Sequence, residues 1–77
     1  MNVQTAVHAI NSLARVTIIE SNGFYCARYE HDKRNLVFSD TALSLDEALM
    51  RLEWRHLGEG IPNSHLSFIH KLRTNLA

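Results

Sequence analysis

The sequence has few of the residues that mark a secreted, membrane-spanning or nucleic-acid-binding protein. Its 77 residues include a single cysteine, Cys26, so no internal disulfide can form and we expect a reducing compartment, the cytoplasm. No apolar run approaches the ~20 residues that cross a membrane, and we expect no secretion signal. Basic and acidic residues balance at 8 each, which leaves no positive field to collect phosphates. We therefore expect neither a membrane protein nor a general nucleic-acid binder.

Catalytic and metal-binding motifs are also missing. The glycines are explained by a hairpin turn and a helix end, which leaves no phosphate-binding loop. The chain has 5 histidines, but His65 and His70 are not spaced to share a metal on one helix face, and no CxxC is present. Cys26 with a histidine would suggest a nucleophile, but its place in mid-strand favours a structural thiol. The sequence therefore predicts no catalytic residue, no metal site and no cofactor.

What the chain does contain is a stretch from Arg15 to Asp40 with the pattern of a three-stranded antiparallel meander. Two β-rich runs flank Asn22-Gly23, the pair that favours a two-residue hairpin turn, and a third follows a polar loop. Because side chains alternate along a strand, registering the hairpin on this pair sorts them into two faces. The predicted core face carries Val16, Ile18, Tyr25, Ala27, Tyr29, Leu36 and Phe38, and the predicted outer face carries Arg15, Thr17, Ile19, Phe24, Cys26, Arg28, Glu30 and Val37.

Helices are predicted on both sides of the meander. From Asn2 to Ala14 the apolar residues recur at helical spacing, although part of this segment could instead be a strand added to the sheet edge. Ser44 with Glu47 three residues later forms a capping box, which starts a helix from Leu45 to about Leu57. Its apolar residues form two stripes, so we expect this helix to contact both the sheet and a neighbour.

A last helix, reaching Leu76, follows a turn, with Asn63 or Ser64 as its cap. The predicted fold is therefore a single α+β domain over residues 1–77, in the order αβββαα. Its helices cover one side of a three-stranded sheet and leave the other side in water. A chain this short buries a small core, so we expect a homodimer or another protein partner to add stability.

The outer face of this sheet is the predicted interaction surface. It mixes charged and apolar side chains, and His31, Lys33 and Arg34 are expected in the adjoining loop. Arginine and aromatic residues are enriched among the residues that dominate binding energy. The alternative interpretation is a solvated face with a weak cross-strand pair between Arg15 and Glu30.

From Val16 to Arg73, the order of features resembles the small phage-encoded type I-F anti-CRISPR proteins. A short β segment ends in Asn22-Gly23, and an Ala-Arg-x-Glu strand follows as Ala27–Glu30. A third strand then ends near Asp40, and a Leu/Glu-rich helix, a glycine-containing break and a closing helix complete the layout.

The resemblance implies an inhibitor that acts in the host cytoplasm. Such a protein docks its sheet face on a Cas protein of the type I CRISPR surveillance complex and blocks target-DNA binding, with no catalysis. The family's binding glutamate corresponds to Glu30, whereas its aromatic before the Asn-Gly turn is matched by Glu20 or Ile19. The family also starts with a strand, where we predict a helix. The predicted partner-binding residues are Arg15, Glu20, Arg28, Glu30, Lys33 and Arg34.

Two other classes stay open. The segments FYCARYE and TALSLDEALMRL resemble a HicB-like antitoxin, which would require a toxin partner, although the longer strand and Gly-Cys loop expected between them are missing. A small DNA-binding or regulatory domain would use basic residues of the last two helices, and its affinity for duplex DNA would fall steeply with salt. These basic residues are Arg51, Arg55, Lys71 and Arg73.

Overall fold

A computed structural model describes residues 3–75 as four β-strands followed by two helices. The fold is α+β as predicted, but the sheet has four strands rather than three and the element order is ββββαα. The sheet is an antiparallel meander in chain order; α1 packs on β3 and β4, and α2 packs on α1. The elements are β1 (Val3–Ala9), β2 (Ala14–Ser21), β3 (Phe24–His31), β4 (Leu36–Ala42), α1 (Leu45–Arg55) and α2 (Asn63–Thr74).

The central hairpin, β2–β3, has the predicted register. Asn22 and Gly23 both have positive φ, 54° and 79°, which a two-residue type I′ turn requires and which these residue types adopt most readily. Ser21 therefore lies opposite Phe24, and the alternation that follows along both strands is confirmed. The register of β3 with β4 is confirmed as well, because Tyr29 lies opposite Phe38 and Glu30 opposite Val37.

The predicted N-terminal helix is wrong, because this segment forms β1 and pairs antiparallel with β2. Its apolar residues fit a helical period, but β-branched residues at alternate positions, Val3, Thr5 and Val7, also suit a strand. Asn11 then reverses the chain, since its Oδ1 accepts the N–H of Ala14 at 2.8 Å. Tertiary context decided the outcome: the edge of β2 offers a row of backbone groups that only a strand can pair.

The first turn of α1 is as predicted. Ser44 is the N-cap, and its Oγ accepts the N–H of Glu47 at 3.2 Å. The Glu47 carboxylate does not complete the capping box, because it accepts from Arg51 Nη2 one turn later, at 2.9 Å. The helix ends at Arg55, slightly earlier than predicted.

The start of α2 differs from the prediction. Neither Asn63 nor Ser64 caps it, since Pro62 precedes the first helical residue and no side-chain cap forms. The N–H groups of His65 and Leu66 instead donate to the Pro62 carbonyl oxygen, at 2.9 and 3.1 Å. Asn2 and Leu76, which the sequence assigns to the first and last helices, lie outside the described residues.

The core lies between the sheet and the helices, over β2, β3 and β4. Tyr29, Leu49, Leu52 and Ile69 are fully buried there. Strand β1 lies outside this cover, and only His8 among its residues is half-buried. Neither described helix is long and apolar enough to span a membrane.

Candidate protein-binding surface

One face of the sheet carries no helix, and we call it the outer face. The side chains on it alternate with those of the core, so the strand pairings define its members in all four strands. None of them is buried. The outer face consists of Val3, Thr5, Val7, Ala9, Arg15, Thr17, Ile19, Ser21, Phe24, Cys26, Arg28, Glu30, Val37, Ser39 and Thr41.

Charged side chains form a network at one end of this face. Arg15 Nη2 lies 3.0 Å from Glu30 Oε2 and 3.2 Å from Asp32 Oδ1. The hydrogen bond with Asp32 is the largest of the effects that raise the pKa of Arg15. Glu30 thus lies between two arginines, because its other oxygen is 3.3 Å from Arg28 Nε. Asp32 belongs to this network but was not among the predicted residues.

Arg28 stands out within the network. Its Nε contacts Glu30 without hydrogen-bond geometry, and it is the only buried side-chain nitrogen or oxygen without a hydrogen-bond partner in residues 3–75. No hydrogen bond from its guanidinium is found in this part of the chain, although its side chain is 43% exposed. A guanidinium carries five N–H donors in a planar fork that fits carboxylates. Because its Nε is buried against Glu30, the donors that Arg28 offers to a partner are those of its terminal Nη groups.

Exposed apolar side chains share the outer face with the charged network. Val3, Val7, Phe24 and Val37 are each more than half exposed, and Ile19 is half-buried between β1 and β3. Phe24 follows the Asn-Gly turn directly, so the hairpin tip presents an aromatic ring to solvent. Apolar area beside unpaired arginine donors is a combination found at protein interfaces.

The structure brings only part of the predicted set together. Arg15, Arg28 and Glu30 lie on the outer face. Glu20 lies on the opposite face, where its hydrogen bond with Tyr25 raises the pKa of that tyrosine. It lines a cleft between β1, β2, β3 and the start of α1. The side-chain period of two dictates this placement, because Glu20 is an odd number of residues from Arg15.

Lys33 and Arg34 occupy the turn between β3 and β4. Arg34 Nη1 reaches the carbonyl oxygen of Gly60, 3.4 Å away on the helix side of the sheet, so it points away from the outer face. His31 was expected beside them in the loop, but it is the last residue of β3 and is buried.

A buried polar cluster joins the sheet to α2 on the core side. The hydroxyl of Tyr29 lies 2.7 Å from His65 Nδ1, and the ring of His31 stacks on that of His65 with centroids 5.7 Å apart. Burial, followed by the charges of His31 and Arg34, lowers the pKa of His65. Tyr29 and His65 therefore share a buried hydrogen bond that ties β3 to the start of α2, and the cluster has a structural role.

The histidines do not assemble a reactive site with Cys26. Cys26 is half-buried on the outer face, whereas His8, His31 and His65 lie on the other side of the sheet. Within residues 3–75, no group of three or more histidine, cysteine or acidic side chains is arranged to hold a metal ion.

Three of the four basic residues that a DNA-binding domain would use are engaged in ion pairs. Arg55 contacts Asp40 at 2.9 Å, and Arg51 contacts Glu47 at 2.9 Å. Arg73 contacts the buried Glu53 at 3.3 Å. The Arg55 pair joins α1 to β4, the Arg73 pair joins α2 to α1, and the Arg51 pair lies within α1, so little free positive charge is left on this side.

Helix α1 packs on both the sheet and α2, as predicted, but its second apolar stripe stays largely exposed. Met50 and Trp54 are 39% and 56% exposed, and Leu57 in the following turn is 51% exposed. The main stripe of the same helix faces the sheet, since Leu49 and Leu52 are fully buried. The domain therefore presents exposed apolar residues on both sides.

Comparison with protein-family models, curated proteins and solved structures returned no match to this chain.

Proposed function

We propose that this chain is a non-enzymatic protein-binding domain whose outer sheet face is its interaction surface. We further propose that it acts as the anti-CRISPR resemblance implies: it docks on a Cas subunit of a type I surveillance complex and blocks target-DNA binding. The observation that carries the first part is the guanidinium of Arg28, whose side chain is 43% exposed on an uncovered sheet face and whose terminal Nη groups make no hydrogen bond within residues 3–75.

The binding free energy of this face comes from groups that gain contacts only when a partner docks. An arginine with unpaired donors gains charge-assisted hydrogen bonds when a partner supplies acceptors. Glu30 and Asp32 hold Arg15 close by, so the charges that a partner meets are already fixed in place. Such pre-organisation reduces the conformational entropy lost on binding. The exposed valines and Phe24 supply apolar area on the same face.

The element order supports the more specific proposal. The resembled family starts with a strand, and this chain starts its described part with β1 where a helix was predicted. The glutamate that corresponds to the family's binding residue, Glu30, lies on the outer face beside Arg28. Both features agree with the layout that the resemblance implies.

One aromatic residue can replace the one that the family carries before the Asn-Gly turn. Of the two matching positions, Ile19 lies on the outer face and Glu20 on the other face. Phe24 lies just past the turn, on the same face as Ile19, and is 52% exposed. We propose that Phe24 is the aromatic contact of this chain.

The test uses the purified chain with a reconstituted type I-F surveillance complex. Binding is measured by biolayer interferometry, and inhibition by the loss of target duplex binding in a gel-shift assay. Arg28→Ala should weaken binding about tenfold or more, the range expected for a central interface arginine. Lys71→Ala is the matched control, since it also removes one positive charge but from an exposed position on α2.

Different results would contradict the anti-CRISPR role and the use of the outer face as the interface. If the wild-type chain leaves target binding intact and does not associate with the complex, the anti-CRISPR proposal is wrong. If it associates but Arg28→Ala binds as tightly as Lys71→Ala, the outer face is not the interface. Circular dichroism of both variants confirms that the fold is retained in each case.

A further inference from the structure

The two edges of the sheet are protected to different degrees. An edge strand exposes unpaired backbone N–H and C=O groups, and proteins commonly block such edges with charged side chains, proline or covering segments. β1 and β4 are the edge strands here. β1 is seven residues long, contains no proline, lysine, arginine or acidic residue, and is exposed on both faces.

The opposite edge is blocked. Arg51 Nη1 donates to the backbone carbonyl oxygen of Thr41 at 2.7 Å, so a helix side chain occupies an outward-facing acceptor of β4. Asp40 of the same strand is a buried charged residue held by Arg55. An inward charge and a covering arginine are both known means of preventing a new strand from adding to an edge.

The hairpin geometry identifies which backbone groups of β1 are free. In a two-residue hairpin the residues next to the turn, Ser21 and Phe24, exchange hydrogen bonds, so alternate residues of β2 face β3 and the others face β1. Ala14 shows this directly, because its carbonyl oxygen accepts the N–H of Ile10 on the β1 side at 2.9 Å. By alternation, the backbone groups of Val3, Thr5, Val7 and Ala9 point away from β2, toward the open edge.

We infer that β1 pairs with β1 of a second copy of this chain, which joins two four-stranded sheets into one continuous antiparallel sheet. The pairing is symmetric when Ala6 faces its own counterpart. Thr5 then faces Val7, and their outward backbone groups exchange hydrogen bonds. This inference goes beyond the proposed function and does not depend on it.

The side chains of β1 are compatible with self-pairing. Because the strand has no residue with a fixed charge, a two-fold axis through Ala6 places no like charges opposite each other. On the outer face, Thr5 lies opposite Val7; on the other face, Gln4 lies opposite His8. The helices pack on β3 and β4, so they leave the free edge of β1 open to a second strand. The dimer also unites the two outer faces into one surface.

The experiment measures the mass of the full chain by sedimentation velocity over about 1 µM to about 1 mM, a range that covers weak to moderate dimers. The expected result is a concentration-dependent change from 8.8 kDa to twice that mass. Thr5→Pro should raise the dissociation constant about a hundredfold or more, because it deletes an outward N–H in each copy and places a ring at the new pairing. The fold is retained, since that N–H has no partner in the monomer.

The matched control is Ser39→Pro, which makes the same change on the other edge, since Ser39 faces outward from β4. It should leave the dimer intact. Val7→Lys keeps the backbone donor and adds like charges near the two-fold axis, so it should also weaken the dimer, and less so at high salt. A mass of 8.8 kDa throughout the range overturns the inference, and so does a dimer that survives Thr5→Pro and Val7→Lys or that Ser39→Pro abolishes.

Discussion

Removal of one hydroxyl from the buried Tyr29 should destabilise the domain measurably. Tyr29 is fully buried and His65 is 7% exposed, and the atoms they share are 2.7 Å apart. Tyr29→Phe keeps the ring but leaves His65 Nδ1 buried without a partner, which costs about 1–3 kcal/mol. A domain of 77 residues has a free energy of unfolding of about 4–12 kcal/mol, so the loss is a substantial fraction of the total.

Urea unfolding and calorimetry near neutral pH provide the assay. Each kcal/mol lost should lower the melting temperature by about 4–8 °C in a domain of this size. Tyr25→Phe is the control, because Tyr25 and Glu20 are both only half-buried and line the same open cleft. We expect that variant to lose less than about 0.5 kcal/mol. Equal, small losses for both variants would refute the reasoning that the buried pair stabilises the junction of sheet and α2.

The remaining predictions concern ionisable groups on the same side of the sheet. Because burial lowers the pKa of His65 below its ordinary 6.5, the unfolded chain takes up this proton first on acidification. The free energy of unfolding should therefore be greatest above about pH 6.5 and should fall as the pH drops toward the lowered pKa. Urea midpoints at several pH values test this. In His65→Gln the free energy of unfolding should depend less steeply on pH over this range. Asp40→Asn should cost about 1.5–3 kcal/mol, because a buried carboxylate binds Arg55 and His56 at 2.9 and 2.7 Å. Amide exchange at the end of α1 should rise in that variant, and unchanged exchange would contradict it.

The candidate surface could be predicted only in part. Strand alternation from the Asn-Gly turn places Arg15, Arg28 and Glu30 on one face, and the structure confirms this arrangement. The same alternation excludes Glu20 from that face. Asp32 lies two residues beyond Glu30, which pairs with Arg15 across the hairpin, so its contact with Arg15 could have been predicted. The missing hydrogen bond of Arg28 Nε depends on atomic positions that no sequence pattern gives.

The sequence by itself determined the features that local chemistry controls. Asn22-Gly23 sets the turn and register because few residue types adopt positive φ, and Ser44 sets the start of α1 because its hydroxyl caps the first turn. Only the tertiary structure decided the state of the N-terminal segment, whose apolar residues fit either period. The unpaired edge of β2 selected the strand, since pairing there satisfies a row of backbone groups that a helix would leave open.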